Sequence, residues 1–192
     1  MAPALTPRIC AALIALLPCA SLADVWQGDQ HSGALRFTAT QAGAKFQGQF
    51  DEFKVSFDFD PAEPVKGRLD VTIVTKSADT ADAERDEVLH GQDFFWAARF
   101  PEAKYHAEGF TRDGRGWIAA GGLTLRGVTQ PVAVRFEVEP KLKQLGMKGG
   151  ATLRRLEFGV GQGDWADTTW VSDPVDVAFD LSLEQETAAA SP

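Results

Sequence analysis

The chain has almost no cysteine. Cys10 and Cys19 are its only two, both within the first 23 residues, so from Asp24 onward there is no thiol for a disulfide, a nucleophile or a Cys-based metal site. Long apolar runs are equally scarce. The one from Ile9 to Leu17 falls short of the roughly 20 residues that a membrane-spanning helix needs. An excess of basic charge is absent too: 27 Asp and Glu stand against 19 Lys and Arg. That balance argues against nucleic acid and anionic headgroups as partners, since both need a basic face. His31, His90 and His106 are the only histidines, too scattered for a helical zinc pair or a Cys/His cluster. The chain contains no Gly-x-Ser-x-Gly elbow, no Gly-x-Gly-x-x-Gly turn and no lysine-bearing phosphate loop, so the common signatures of serine hydrolases and nucleotide-binding enzymes are missing. No metal and no cofactor are expected.

What the N-terminus does have is the layout of an export signal. Arg8 precedes the apolar run, Pro18 breaks it, and Ser21-Leu22-Ala23 supplies small residues at the positions a signal peptidase reads. Cleavage before Asp24 and a periplasmic location are expected. Pro18 stands where a lipoprotein signal needs a small residue, so Cys19 is not read as acylated. With no disulfide available, the exported chain depends on a buried core, for which residues 24–186 are long enough. Thr187 to Pro192 has nothing to bury and reads as a loose tail.

The rest is dominated by one-sided alternation. Leu35 and Phe37 alternate with Arg36 and Thr38; Phe46, Gly48 and Phe50 follow the Gly43 turn; Phe53, Val55, Phe57 and Phe59 alternate with Lys54, Ser56 and Asp58; Leu69, Val71 and Ile73 form the next set. Thr80 as cap, the acids Asp82, Glu84 and Asp86, and Gly91 as stop predict one short helix between Ser77 and Gly91. Asp113-Gly114 predicts a primed hairpin turn with positive φ at both residues. In the stretch Gly121 to Val138, Gly127 and Pro131 mark a turn between Leu123-Thr124-Leu125 and the strand Val132, Val134, Phe136, Val138. Gly149-Gly150 restarts the chain, Leu156, Phe158 and Val160 alternate, and Val175, Val177, Phe179, Leu181 and Leu183 make the cleanest strand. About eight to ten strands with one helix are too many for a small open sheet to protect its edges, so an antiparallel closed barrel of about eight strands is predicted. A barrel of that size either fills its interior with side chains or holds one small ligand. Thirteen Phe and five Trp suit both, which leaves a solid-barrel interaction module open.

Several ordered motifs resemble the YceI-like family: His31-Ser32, Phe46-Gln47-Gly48-Gln49-Phe50, Leu89 with Asp93-Phe94-Phe95, Phe100-Pro101-Glu102-Ala103, the run Gly122 to Val132, and Phe158-Gly159-Val160-Gly161. The resemblance spans nearly all of the chain after the export signal, and its most specific part is Leu-Thr-x-x-Gly-x-Thr-x-Pro-Val. It implies an extended lipocalin-like barrel, exported in bacteria, whose apolar pore holds a polyisoprenoid, an isoprenoid quinone or another long-chain amphiphile. It leaves a homodimer open. The chain departs from the family pattern in two places. Thr38 to Gln41 holds no histidine, where many members carry a second one, and Trp96-Ala97-Ala98 replaces a more polar run.

On this reading the candidate lining residues are Phe37, Phe46, Phe50, Phe53, Phe57, Leu69, Val71, Ile73, Phe94, Phe95, Trp117, Leu123, Phe136, Phe158 and Phe179, each of which reads equally well as packing. Tyr105 and His31 are placed nearest a ligand head group, His31 because it ends a strand at a barrel rim. A tail of about 20 carbons would gain roughly 16 kcal/mol on burial, less the cost of ordering it. The competing expectation is a hydrolase or isomerase acting on such a lipid through His31, or through His106 and Glu108, which share one side of a strand.

Overall fold

The computed structural model describes residues 25–186. The expected export segment, with Cys10 and Cys19, and the tail Thr187 to Pro192 lie outside the described residues. Twelve strands run antiparallel: β1 Val25–Asp29, β2 Gly33–Gln41, β3 Ala44–Phe50, β4 Phe53–Asp58, β5 Arg68–Val74, β6 Ala78–Asp79, β7 Glu102–Glu108, β8 Phe110–Asp113, β9 Gly116–Leu125, β10 Val128–Pro140, β11 Gln144–Arg154 and β12 Pro174–Gln185. The ladder β1-β4-β5-β7-β9-β10-β11-β12 closes on itself through Trp26 opposite Gln185 and Gln27 opposite Glu184. Closure removes the free edges that so many strands would otherwise expose.

The remaining four segments prolong members of this ring. β2 continues β1 along β12, β3 leads into β4, β6 prolongs β5 and β8 prolongs β7, so the wall is built of eight long staves, four of them broken. Each break has a local cause. Between β1 and β2, Asp29 accepts from the His31 amide at 2.8 Å and Ser32 Oγ accepts from the Asp29 amide at 3.1 Å, which closes a turn in mid-stave. Gly33 then restarts the strand at φ +150°, where a Cβ would lie 2.0 Å from the Asp180 carbonyl oxygen, so only glycine fits. Between β5 and β6 the chain makes a turn of 3-10 helix over Thr75–Ser77, with the buried Thr75 hydroxyl donating to the Phe100 carbonyl at 2.7 Å.

Alternation set the faces. In β4, Phe53, Val55 and Phe57 are buried while Lys54, Ser56 and Asp58 face outward or lie half-buried. The one helix, α1 Ala83–His90, is capped by Asp82, whose side chain accepts from the Arg85 amide. Thr80 is not the cap. It is buried, and its amide and hydroxyl both donate to Asp86 Oδ1, at 2.9 and 2.7 Å.

Four further expectations are corrected. Asp113 is the last residue of β8, the turn is Gly114-Arg115, and only Gly114 has positive φ. Pro131 lies inside β10 opposite Gly122, and the turn is Arg126-Gly127, both with positive φ. Proline is tolerated there because β11 pairs with β10 only from Arg135 onward, so one flank of Pro131 has no ladder to lose. The glycine-rich segment around Gly149-Gly150 is the interior of β11 rather than a restart. Leu156 and Phe158 belong to a 3-10 turn, Arg155–Phe158, stopped by Gly159 at φ +67°. No helix among the described residues is long and apolar enough to cross a membrane.

Candidate functional site

The barrel interior divides into a packed floor and a hollow upper part. Phe57, Phe59, Phe110, Trp117 and Phe136 interlock at the floor with ring centroids 5.1 to 6.4 Å apart, most of the pairs tilted or edge-to-face. Each such contact adds about 0.5–1.5 kcal/mol beyond simple burial. With Leu145 and Leu183 beside them, also buried, these rings leave no room for a ligand.

Above the floor lies a cavity of about 200 Å³ whose wall exposes no polar atom. Of the expected contacts, Phe37, Phe46, Phe50, Phe53, Leu69, Val71, Ile73, Phe94, Phe95, Tyr105, Leu123, Phe158 and Phe179 line it. Phe57, Trp117 and Phe136 do not, because they point inward one layer lower, into the floor. His31 does not either: it is exposed on the turn between β1 and β2, halfway along a stave instead of at a rim, with its ring 3.3 Å from the Gln30 amide. Lining residues outside the expected set include Leu35, Leu89, Val132, Val134, Met147, Leu153, Arg155, Val160, Val171, Val175 and Val177. Val132, Val134, Val175 and Val177 sit on alternating strand faces and were as visible in the sequence as the aromatics. Arg155 carried no signal at all.

Tyr105 shows why the wall is non-polar. Its hydroxyl lies 2.8 Å from the Ala119 carbonyl and 3.1 Å from that of Val132, to which it donates. Gly121 makes the room, since a Cβ there would sit 2.7 Å from the tyrosine ring. Burial pushes the Tyr105 pKa up to about 12, against the opposing pull of the Gly121 and Val134 backbone groups. The ring therefore faces the cavity while the hydroxyl is consumed by the wall.

The upper end is closed by a lid of α1, the loop carrying Phe94 and Phe95, and the segment from Arg155 to Asp173. Arg155 is 4% exposed and spends all five N–H groups on backbone carbonyls: Ser172 at 3.1 Å, Val160 at 2.9 Å, Gly161 at 3.4 Å, Trp165 at 2.7 Å and Val171 at 2.6 Å. Burial lowers its pKa, with nearby Asp173 opposing. The lid is stitched to the β2–β3 tip by Ala42 N–H to the Trp170 carbonyl at 2.7 Å and Ser172 N–H to the Thr40 carbonyl at 3.0 Å. Arg126 donates to the Gln92 and Phe94 carbonyls, holding the paired phenylalanines over the cavity. Trp96, from the run that departs from the family pattern, is not in the lining. It lies outside, between the Arg99 and Arg126 guanidinium groups at 4.7 and 5.6 Å from its ring centroid.

On the far side of the lid is a second, more open void of about 250 Å³ with mixed lining: Gln41, Asp82, Glu84, Arg85, Val88 and Trp165. Phe46, Leu89, Phe94 and Val171 border both voids and form the partition between them. His106 and Glu108 are elsewhere, on the outer face of β7. His106 Nδ1 is 2.7 Å from Asp70 and its Nε2 is 3.5 Å from Glu108, and the hydrogen bond to Asp70 raises its pKa. Among the described residues, no group of three or more His, Cys, Asp or Glu is placed to hold a metal.

Comparison with known proteins agrees with this architecture. A family model described as the YceI-like domain matches residues 26–183. Two curated relatives, UPF0312 protein plu2095 of Photorhabdus laumondii and a UPF0312 protein of Yersinia pestis, are 40% and 41% identical over 91 residues, which is 47% of this chain and 47% of each relative. The match thus spans about half the length of those relatives. Among solved structures, Burkholderia cenocepacia BcnA superposes with a TM-score of 0.77 at 28% identity, covering 80% of this chain and 98% of that one. A polyisoprenoid binding domain from Saccharophagus degradans, implicated in plant cell wall breakdown, shares the fold at a TM-score of 0.64 and 14% identity, over 85% of this chain and 99% of its own.

Proposed function

This chain belongs to the YceI-like domain family, and from that premise we propose that it is a periplasmic carrier that holds a long-chain apolar molecule, an isoprenoid quinone or polyprenyl lipid, in the barrel cavity. The observation that carries the reading is the cavity itself, a void of about 200 Å³ with no polar atom on its wall. A dry apolar void forfeits the dispersion contacts its lining could make. A protein without a ligand would gain by filling it, as this one fills its own floor. The Saccharophagus degradans domain of the same fold is a polyisoprenoid binding domain, which is in keeping with an apolar chain as occupant. Export by the first 23 residues would put the carrier in the periplasm.

Each methylene the cavity takes in adds ~0.8 kcal/mol, and a tail too long for the void as it stands enters only if rings move aside. Phe37 to Phe46 at 6.5 Å, Phe37 to Phe50 at 5.4 Å and Phe50 to Phe95 at 6.0 Å form the chain of aromatics that would have to shift. Binding without catalysis is part of the proposal, supported by the position of His31 and of the His106–Glu108 pair outside the cavity.

The test is organic extraction of protein purified from its native host, followed by mass spectrometry, with native mass spectrometry of the intact complex alongside. A co-purifying long-chain lipid supports the reading. Repeated absence of any lipid, together with failure to take up added long-chain alcohols, overturns it.

A further inference from the structure

The cavity can hold a tail and nothing polar. Its one lining hydroxyl, on Tyr105, is already spent on the Ala119 and Val132 carbonyls, and every N–H of Arg155 is spent on lid carbonyls. A polar head drawn inside would lose its water without gaining a partner, a loss of order several kcal/mol for a hydroxyl or amide. The head must therefore stop outside the partition. The mixed-lining void above it shares the partition residues Phe46, Leu89, Phe94 and Val171 with the cavity, so a chain passing between those four side chains connects the two.

We infer that this outer void, bounded by Gln41, Asp82, Glu84 and Arg85, is the head-group site, and that it takes neutral or cationic heads, a carbonyl accepting from the Gln41 amide or a hydroxyl or ammonium donating to Glu84, and turns away carboxylate and phosphate. The inference rests on the carrier reading above. Its argument is which polar groups are already engaged. Asp82 caps α1 and holds Arg85 at 3.3 Å, while Arg85 Nε donates to the Thr80 hydroxyl at 2.9 Å. The Arg85 guanidinium also lies 4.5 Å from the Phe46 ring centroid, against the partition. Its charge is thus answered by Asp82. Glu84 has no ion pair or hydrogen bond among the described residues, and neither does the Gln41 side-chain amide. A free carboxylate and a free amide beside an answered cation present acceptors, the two amide N–H donors of Gln41, and a net negative field. The positive end of α1, which could have drawn an anion, already faces Asp82 and Glu84.

The experiment compares four probes with one tail, dodecylamine, dodecanol, dodecanoate and dodecyl phosphate, each below its micelle concentration, for displacement of a bound fluorescent long-chain probe. Dodecylamine and dodecanol are expected to bind up to about fivefold more tightly than the two anions, the scale of one solvent-exposed charge contact. Glu84→Gln is expected to narrow the gap between amine and carboxylate severalfold and to leave dodecanol unchanged. Glu139→Gln, at the floor end of β10, serves as a control for overall charge. Equal binding of all four probes, or an equal effect of Glu84→Gln and Glu139→Gln, overturns the head-group site while leaving the carrier reading intact. Failure of every probe to bind overturns both.

Discussion

Replacing Arg155 by methionine should release the lid while leaving the barrel standing. Methionine keeps an unbranched apolar stem but lacks the guanidinium fork, so five carbonyls of the Val160–Ser172 stretch lose their donor. A carbonyl left buried and unpaired costs about 1–3 kcal/mol. Five of them cost at least about 5 kcal/mol if the lid stays shut, comparable with the whole stability of a typical domain at about 5–15 kcal/mol. Opening is the competing response, since it returns those carbonyls to water. It exposes Phe158, Val160 and Val171, buried now, at about 1.5–3 kcal/mol each, and recovers backbone entropy along the segment. The lid's closing free energy should fall by at least about 3 kcal/mol, which is about a hundredfold in the opening constant. Hydrogen exchange read by mass spectrometry checks it: peptides covering residues 156–172 should exchange at least a hundredfold faster, while those from β9 and β10 keep their protection. Arg155→Lys should fall between, since an ammonium has three donors where the guanidinium has five. Unchanged protection of that segment in Arg155→Met would refute the clamp.

Tyr105 is the chain's only tyrosine, so phenolate absorbance reports it alone. Its pKa is raised to about 12 by burial; the neutral form is favoured on folding, so its contribution to stability is complete below about pH 10 and is lost as pH rises toward 12. A midpoint near 10 in the folded protein would contradict the buried, carbonyl-bonded hydroxyl. Phe57→Ala should cost about 3–5 kcal/mol in denaturant unfolding without changing which lipid co-purifies, because Phe57 is fully buried in the floor and absent from the cavity wall. Val134→Trp, by contrast, places an indole in a void of about 200 Å³ and should abolish uptake of long-chain probes in native mass spectrometry while the far-ultraviolet spectrum stays that of a barrel. The His106 pKa, raised above 6.5 chiefly by its hydrogen bond to Asp70, should drop back toward that value in Asp70→Asn when followed by NMR. The stabilisation it lends is present at lower pH and lost as pH rises through its folded value.

The wall of the barrel was legible in the sequence because alternation is a local signal. Leu69, Val71 and Ile73 face the cavity for the same reason that Asp70 and Thr72 do not: successive residues of a strand point to opposite sides. The depth of each residue along the barrel was not legible. Phe57 and Phe53 belong to one alternating run, yet one sits in the floor and the other on the cavity wall, since depth depends on the stagger between staves and not on any spacing within one. The lid was the least visible part. Arg155 and Asp173 lie 18 positions apart with an irregular loop between them, and a guanidinium satisfied entirely by backbone carbonyls leaves no partner side chain to find. His31 misled for a related reason. Its turn looked like the end of a strand, but the stave resumes at Gly33 on the same side of β12.

The division into floor, void and lid also explains how an apolar hole survives in a small protein. Burial of the floor aromatics and closure through β1 and β12 supply stability that does not depend on the upper half, so the void can be left unfilled without unfolding the wall. The lid, conversely, is held mostly by polar contacts: the five bonds from Arg155, those from Arg126, and the backbone bonds to the β2–β3 tip. Such contacts contribute about 0.5–3 kcal/mol each and can be exchanged for water when the segment lifts, whereas apolar packing of the floor cannot. Opening is therefore confined to the end where the cavity meets the outer void. On the proposed carrier reading a tail would enter and leave there while the far end stays shut, so the direction of entry would follow from where the sequence places its aromatics and where it places Arg155.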